Sequence, residues 1–411
     1  MKHKFSKIEK YWILYDVGNS AFALLMATII PIYFNEIATQ ANISEVDYLA
    51  YWGYAVSFST ILVAFLGPTL GTISDTKGFK KPIFTMSMML GVIACAALSI
   101  PSSWLVFLII FVIAKVGFSA SLVFYDSMLN DITKKQQMDD VSSQGYAWGY
   151  IGSCIPFLLS ILLVLNAETF DLTTSLATGI AFIINAVWWF VMSLPLIKNY
   201  RQKNYIPPKK HPVKESFVRL SSSLRDIKSR KKIFLFLLAF FFYIDGVYTI
   251  IEMATAYGSS LGLDATGLLL ALLLTQMVAF PFALLFGKIS KIWESASLIK
   301  FCILAYTGIA LFAIQLDAQW EFWVLAVCVG MFQGAIQALS RSYFAKIIPE
   351  EKSGEFFGIF DICGKGASFL GTALMGLFAQ LSGNQNGGIF ILTIMFIIGF
   401  VLFSKADNIK E

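Results

Sequence analysis

The stretch GTISDTKGFKKPI, Gly71–Ile83, has a fainter echo in GKISKIWESASLI, Gly287–Ile299, which lies 216 positions further on. Each follows the second long apolar run of its half of the chain. Working outward, apolar runs of about 20 residues recur along the whole length, and each can cross a hydrocarbon core of about 30 Å. Twelve are counted, from Trp12–Glu36 to Gly388–Phe403. Hydrophobic residues make up 57% and charged ones 14% of the chain, and mean hydropathy is +0.71. That composition excludes a soluble globular protein. The first run is too long for a cleavable signal peptide, and no small-residue cleavage site follows it.

Charge sets the expected orientation. Lys2, Lys4, Lys7 and Lys10 precede the first run, and Lys77, Lys80 and Lys81 follow the second. Lys134 and Lys135, a basic linker, Lys288 and Lys291, then Lys346 and Lys352 continue on the same side. The alternate loops near Glu45, Ser102, Glu168, Asp264, Asp317 and Gly383 carry no Lys or Arg. The positive-inside rule then predicts a multi-pass protein with both termini cytoplasmic, in the plasma (inner) membrane if the source is bacterial. The polar segment NYRQKNYIPPKKHPVKES separates six runs from six. It divides the chain into 1–197, a linker 198–231 and 232–411, and is expected to be a plain connector touching anionic lipid at most. Asp126 and Arg341, late in the fourth run of each half, nearly repeat the same offset, as do the MAT triplets at Met26 and Met253. The pattern predicts an all-α membrane protein of twelve transmembrane helices in two pseudo-symmetric six-helix bundles.

Ionisable groups within a span cost about 2.5–3.5 kcal/mol or more at its centre, so by default they face the bundle interior and carry function. Lys115 lies mid-span in the fourth run, and no acid stands three or four positions from it. Its expected partner is Asp245, Asp16 or an anionic ligand. Helical spacing places Lys115, Ser119, Leu122 and Asp126 on one face, as it does Asp245, Thr249 and Glu252. Gln333, Gln337 and Arg341 align in the tenth run, and Asp361, Lys365 and Ser368 in the eleventh. Asp126 and Arg341 lie near helix ends and read equally as a gate salt bridge or as substrate contacts. Asp361 and Lys365, four apart, could neutralise one another. Asp16 and Asn19, in YDVGNSAFALL (Tyr15–Leu25), share a face near the start of the first run. They read as a gate or proton-linked position, with Arg341 or a basic loop residue as the partner of Asp16.

Other chemistries find no pattern. His3 and His211 sit in polar segments without metal-ligand neighbours, and the five cysteines fall inside apolar runs. No G-x-x-x-x-G-K-[ST] loop is present. The expectation is no enzyme, no metal, no cofactor and no nucleic-acid partner, with a gradient as the energy source.

Gly71, Asp75, Gly78, Lys80 and Lys81 stand in the register G-x-x-x-D-x-x-G-x-K-K, with Thr76 where a basic residue is usual. This resembles the loop between the second and third helices of the major facilitator superfamily. The resemblance implies that the acid lies against the start of the eleventh helix, where the helix dipole favours an anion, and helps latch the cytoplasmic side. It also implies that the first, fourth, seventh and tenth helices line a central cavity. QGYAWGYIGSCIP, Gln144–Pro156, sets Gly145, Gly149 and Gly152 on one side of the fifth run for close packing. It partly resembles an exporter motif of that superfamily, with Tyr150 in place of a proline and Ser153 in place of the last glycine.

YDVGNSAFA, FYIDGVYTII and QGAIQALSRSYFAKIIPEEKSGEFFGIFDICGKGASFLG together resemble the "unknown major facilitator" family, which includes bacterial proteins and the autophagy-related vacuolar amino-acid effluxers of fungi. Val17-Gly18 stand where Trp-Ala is usual, and Ile244 replaces a polar residue. The expected function is a monomeric secondary transporter working by alternating access on a small polar, zwitterionic or anionic, amino-acid-like solute. Lys115, Asp245, Gln333, Gln337 and Lys365 would bind it, and a proton or other ion gradient would drive it. Asp16, Asn19, Asp126, Glu252, Arg341 and Asp361 are the coupling or gating candidates. A lipid or lysolipid flippase on the same fold is the alternative, and a membrane sensor that transports nothing is a third reading.

Overall fold

The computed structural model describes residues 4–100, 103–207, 230–260, 265–382 and 386–409. Over these residues the chain is almost wholly helical. The first half comprises α1 (Lys7–Ala27), α2 (Ile29–Gln40), α3 (Glu45–Ser74), α4 (Lys80–Ala97), α5 (Trp104–Ser127), α6 (Leu129–Ile132), α7 (Met138–Leu165) and α8 (Thr174–Asn199). After the linker come α9 (Lys231–Ser260), α10 (Ala265–Ile289), α11 (Ser295–Ala313), α12 (Gln319–Ile347), α13 (Ser353–Ser382) and α14 (Asn386–Asp407). The pairs α1/α2 and α5/α6 each make one span, so the described residues form twelve long units. Eleven are long and apolar enough to cross a membrane, and the twelfth is α13, which carries Glu355 and Asp361.

The first span departs from its expected form. It begins at Lys7 rather than Trp12, because Ser6 and Glu9 form a reciprocal capping box over the first turn. It is also broken at Thr28, whose backbone leaves the helical region (φ −131°, ψ −78°). Pro31 follows three residues later, with no N–H to donate back into the helix. The boundary expected at 197 falls inside α8, which runs on to Asn199.

Within the first half α1 packs on α7 and α8, and α4 on α5; within the second, α9 packs on α13 and α14, and α10 on α12. The halves meet along two seams, α3 against α13 and α7 against α10 and α12. At the first seam the backbones nearly touch. A Cβ on Gly71 would lie 2.3 Å from the carbonyl oxygen of Gly354, so any side chain there must part the helices. The Lys-bearing turns after α3, α6, α10 and α12 and the start of α1 gather at one end of the bundle, called here the basic end.

The linker is not a plain connector at its start. Ile206 N–H donates to the Asp75 carbonyl at 2.7 Å, and Gln202 Nε2 donates to the Ser74 carbonyl at 3.0 Å. Residues 200–206 thus brace the turn after α3. Gly78 permits that turn because its φ of +84° is a conformation L side chains rarely adopt. Residues 208–229, with His211, lie outside the described residues.

Candidate functional site

The basic end is closed by polar contacts between the halves, in three groups. In the first, Asp75 caps α13: the N–H groups of Gly354 and Glu355 donate to its two carboxylate oxygens at 2.8 and 2.9 Å. A helix N-terminus offers both unsatisfied donors and a favourable dipole for that anion. Lys80, fully buried, donates to Ser353 Oγ at 2.8 Å and lies 3.8 Å from Asp75 and 3.6 Å from Asp131. Asp131 also accepts from Tyr200 and from the backbone of Lys203 and Asn204. Burial pushes the Asp75 carboxyl from 3.8 up to about 7, and the Lys80 ammonium and the two backbone donors offset only part of that rise. Lys81 lies apart from this cluster and reaches the Lys198 carbonyl at 3.5 Å.

The second group centres on Arg341 of α12, which enters the first half. Its Nη1 donates to Asp126 Oδ1 at 2.9 Å, its Nε to Ser142 Oγ at 2.9 Å, and its Nη2 to the Ser142 carbonyl at 3.0 Å. Asp16 Oδ2 lies 3.5 Å from Nη2. The guanidinium carbon sits 4.6 Å from the Trp12 ring centre, 4.3 Å from Tyr146 and 5.5 Å from Tyr125. Trp12 is itself fixed, stacked on Tyr125 at 4.3 Å and donating its indole N–H to the Tyr125 carbonyl at 2.9 Å. Asn19 orients Asp16 by donating to its Oδ1 at 3.4 Å and to the Tyr15 carbonyl at 3.2 Å.

The third group joins α7 to the second half. Lys346 and Ser342 donate to Asp139, Ser295 donates to Asp139 at 2.7 Å, and Lys291 pairs with Asp140 at 2.6 Å. Sequence reading picked out none of these side chains as site residues. Acids in the first turn of α7 look like ordinary dipole partners, and the aromatic rings around Arg341 are common in membrane spans.

The residues expected to bind the solute lie on α5, α9, α12 and α13. Asp245 is fully buried between α9 and α13, and its Oδ1 accepts from Gly371 N–H at 3.1 Å and Thr249 Oγ1 at 3.4 Å. Gly371 is required there, because a Cβ would lie 2.4 Å from that carboxylate oxygen. Gln337 accepts from the Tyr150 hydroxyl at 3.4 Å across the seam, and Gln333 is buried. Lys115 on α5 and Asp361 on α13 are half-buried. The side chains of Lys365 and Glu252 lie outside the described residues. Among the described residues no group of His, Cys, Asp and Glu has the make-up of a metal site.

Residues 6–410 match the model of a family described as vacuole effluxer Atg22 like. The chain belongs to the Atg22-like family. An MFS-type transporter of Bacillus subtilis, YxiO, is 42% identical over 409 residues, which covers 98% of this Atg22-like chain and 96% of the relative. Autophagy-related protein 22 of Yarrowia lipolytica is 26% identical over 302 residues, or 65% of this chain and 50% of that protein. The match therefore spans about half the length of that fungal relative. Among solved structures, the facilitator-superfamily transporter FucP in its outward conformation superposes with TM-score 0.71 at 13% identity, covering 98% of both chains. A bacterial homologue of the iron transporter ferroportin, outward-facing, gives 0.70 at 16% identity, covering 98% of this chain and 99% of that one. The Atg22-like chain thus has the major facilitator fold and is a multi-pass membrane protein of a transporter family.

Proposed function

We propose that this Atg22-like protein is a secondary active transporter that carries a small polar solute by alternating access, with Arg341 as the gate at the basic end. One observation carries the reading. The hydrogen bonds, ion pairs and ring contacts of the Arg341 guanidinium go to α1, α5 and α7, while its own helix belongs to the other half. The halves cannot part at the basic end without breaking them all together, as a two-state gate requires. In this reading the basic end is cytoplasmic, as the Lys and Arg distribution favours, and for a bacterial source the membrane is the plasma membrane. The solute is zwitterionic and amino-acid-like, drawn between Lys115 and the mid-depth polar groups of α9, α12 and α13. One of Asp16 and Asp126 gains a proton as Arg341 leaves them, because two neighbouring carboxylates without their cation cannot both stay charged in apolar surroundings. The protein works as a monomer in this scheme.

Purified protein in liposomes, loaded with a labelled amino-acid mixture and given a pH gradient, tests it. Flux that a protonophore abolishes, and that falls at least about tenfold in Asp126→Asn, is the expected result. Proton-independent flux in that variant equal to wild type would refute the coupling. Movement of labelled lysolipid without any amino-acid flux would replace the solute reading with a flippase.

A further inference from the structure

The first half treats the Arg341 guanidinium as a receptor treats a ligand. Trp12 and Tyr146 offer ring faces at 4.6 and 4.3 Å, Asp126 and Asp16 supply carboxylates, and Ser142 supplies both its hydroxyl and its carbonyl. Four acceptors for one planar, five-donor fork between aromatic faces is the chemistry of guanidinium recognition. The width of the slot is set by Gly145, where a Cβ would lie 2.7 Å from Asp16 Oδ2 and 3.2 Å from Arg341 Nη2. Asp16 is 5% exposed and the Asp126 side chain 19%, so the slot is built into the interior rather than a surface pairing.

Every wall of that slot stays behind when Arg341 withdraws with α12. What remains is rich in acceptors, carries two carboxylates and is bounded by rings. Leaving such charges buried and unmatched is strongly unfavourable. A proton quenches one carboxylate but leaves the ring faces and the Ser142 acceptors unused.

We propose that this slot is a binding site for a cationic group of the solute, a guanidinium or primary ammonium, and that Arg341 is a tethered competitor that fills the site when the basic end is closed. The inference rests on the alternating-access reading above and narrows its solute to one bearing such a group. It also separates the slot from the mid-depth set. Lys115 and Asp126 are eleven positions apart on one helix, about 16 Å at 1.5 Å per residue, so one amino-acid-sized solute does not touch both at once. The solute's cation meets the slot first and displaces Arg341, and closure of the gate later returns the arginine and expels the cation.

The test is equilibrium binding of labelled agmatine to the full-length protein in nanodiscs. Arg341→Ala empties the slot and should tighten agmatine binding about tenfold or more, a change of about 1.4 kcal/mol. Arg341→Lys, which keeps a cation in place and so protects the fold, should give an intermediate gain. In either background Asp126→Asn should abolish the gain. L-arginine should displace agmatine, whereas L-citrulline, with a neutral urea in place of the guanidinium, should not. The site is overturned if agmatine binds both Arg341 variants no more tightly than wild type, if the gain survives Asp126→Asn, or if citrulline competes equally. Gly71→Ala keeps the arginine but wedges the seam open, and it should raise agmatine affinity as well. A gain in the Arg341 variants without one in Gly71→Ala would uphold the site and count against separation of the halves.

Discussion

The two seams at the basic end are versions of one arrangement with the charges exchanged. Asp75, in the turn after α3, and Lys291, in the turn after α10, stand 216 positions apart, one in each half. Asp75 receives the N–H groups at the start of α13, while Lys291 pairs with Asp140 in the first turn of α7. Both place an anion at a helix N-terminus, where the dipole favours it. In one seam the anion comes from across the interface, and in the other it is built into the helix. Asp131 beside Lys80 corresponds likewise to Lys346 beside Ser295. The difference is burial. Lys80, Asp75 and Asp131 are buried, whereas the Lys291 side chain is 46% exposed. A buried ion cluster collapses when one member is lost, while an exposed pair is screened and replaceable. The first seam is therefore read as the stronger clasp of the closed form and the second as the one that ionic conditions tune.

That contrast can be broken by substitution. Lys80→Met leaves two buried carboxylates facing each other and should cost about 3–5 kcal/mol, seen as a large fall in the thermal unfolding midpoint. A loss below about 1 kcal/mol would mean the cluster is wetter than its burial implies. Gly354→Ala comes next: its Cβ would fall 2.3 Å from Ser74 Oγ and 2.7 Å from the Gly71 carbonyl, an overpacking worth about 1–3 kcal/mol. The equivalent wedge at the second seam, Gly287→Ala, meets the Cβ and hydroxyl of Ser143 rather than backbone and should cost less.

The pH response sharpens the same contrast. The Asp75 carboxyl is raised to about 7 in the closed form, so its contribution is complete below the ordinary carboxylate value of 3.8 and is lost as pH rises through about 7. The unfolding midpoint should decline over that window in wild type, and the Asp75-dependent part of the decline should vanish in Asp75→Asn. The smallest effect belongs to the exposed pairs. Lys291→Gln should cost at most about 1 kcal/mol at low salt and still less at 1 M salt, where the Debye length is about 3 Å. Lys135, paired with Glu350 at 3.3 Å and 50% exposed, should be silent when changed to Gln.

Much of the fold was legible in sequence because the membrane enforces simple rules: long apolar runs, and basic loops on alternate turns. Asp16, Asp126 and Arg341 stood out because a charge in a span is expensive and so conspicuous. What surrounds Arg341 did not. Trp12, Tyr125 and Tyr146 carry no charge and no spacing that separates a guanidinium slot from ordinary core, and Ser142 acts through its backbone as much as its hydroxyl. Asp245 shows the opposite case. Its charge is conspicuous in sequence, but its hydrogen bond from the Gly371 N–H of α13 depends on two backbones approaching closely, which no residue type announces. Residues 200–206 read as linker because they are polar, and their docking depends on backbone hydrogen bonds that composition does not encode.

The central claim is that the basic end opens and closes around Arg341, and a pulsed EPR distance between spin labels at Lys77 and Glu351 tests it most directly. Both positions are exposed at the basic end, one in each half. The account predicts two distance populations in lipid, the shorter dominant in wild type and the longer dominant in Arg341→Ala. A single short distance, unmoved by Arg341→Ala and by Gly71→Ala, would contradict it.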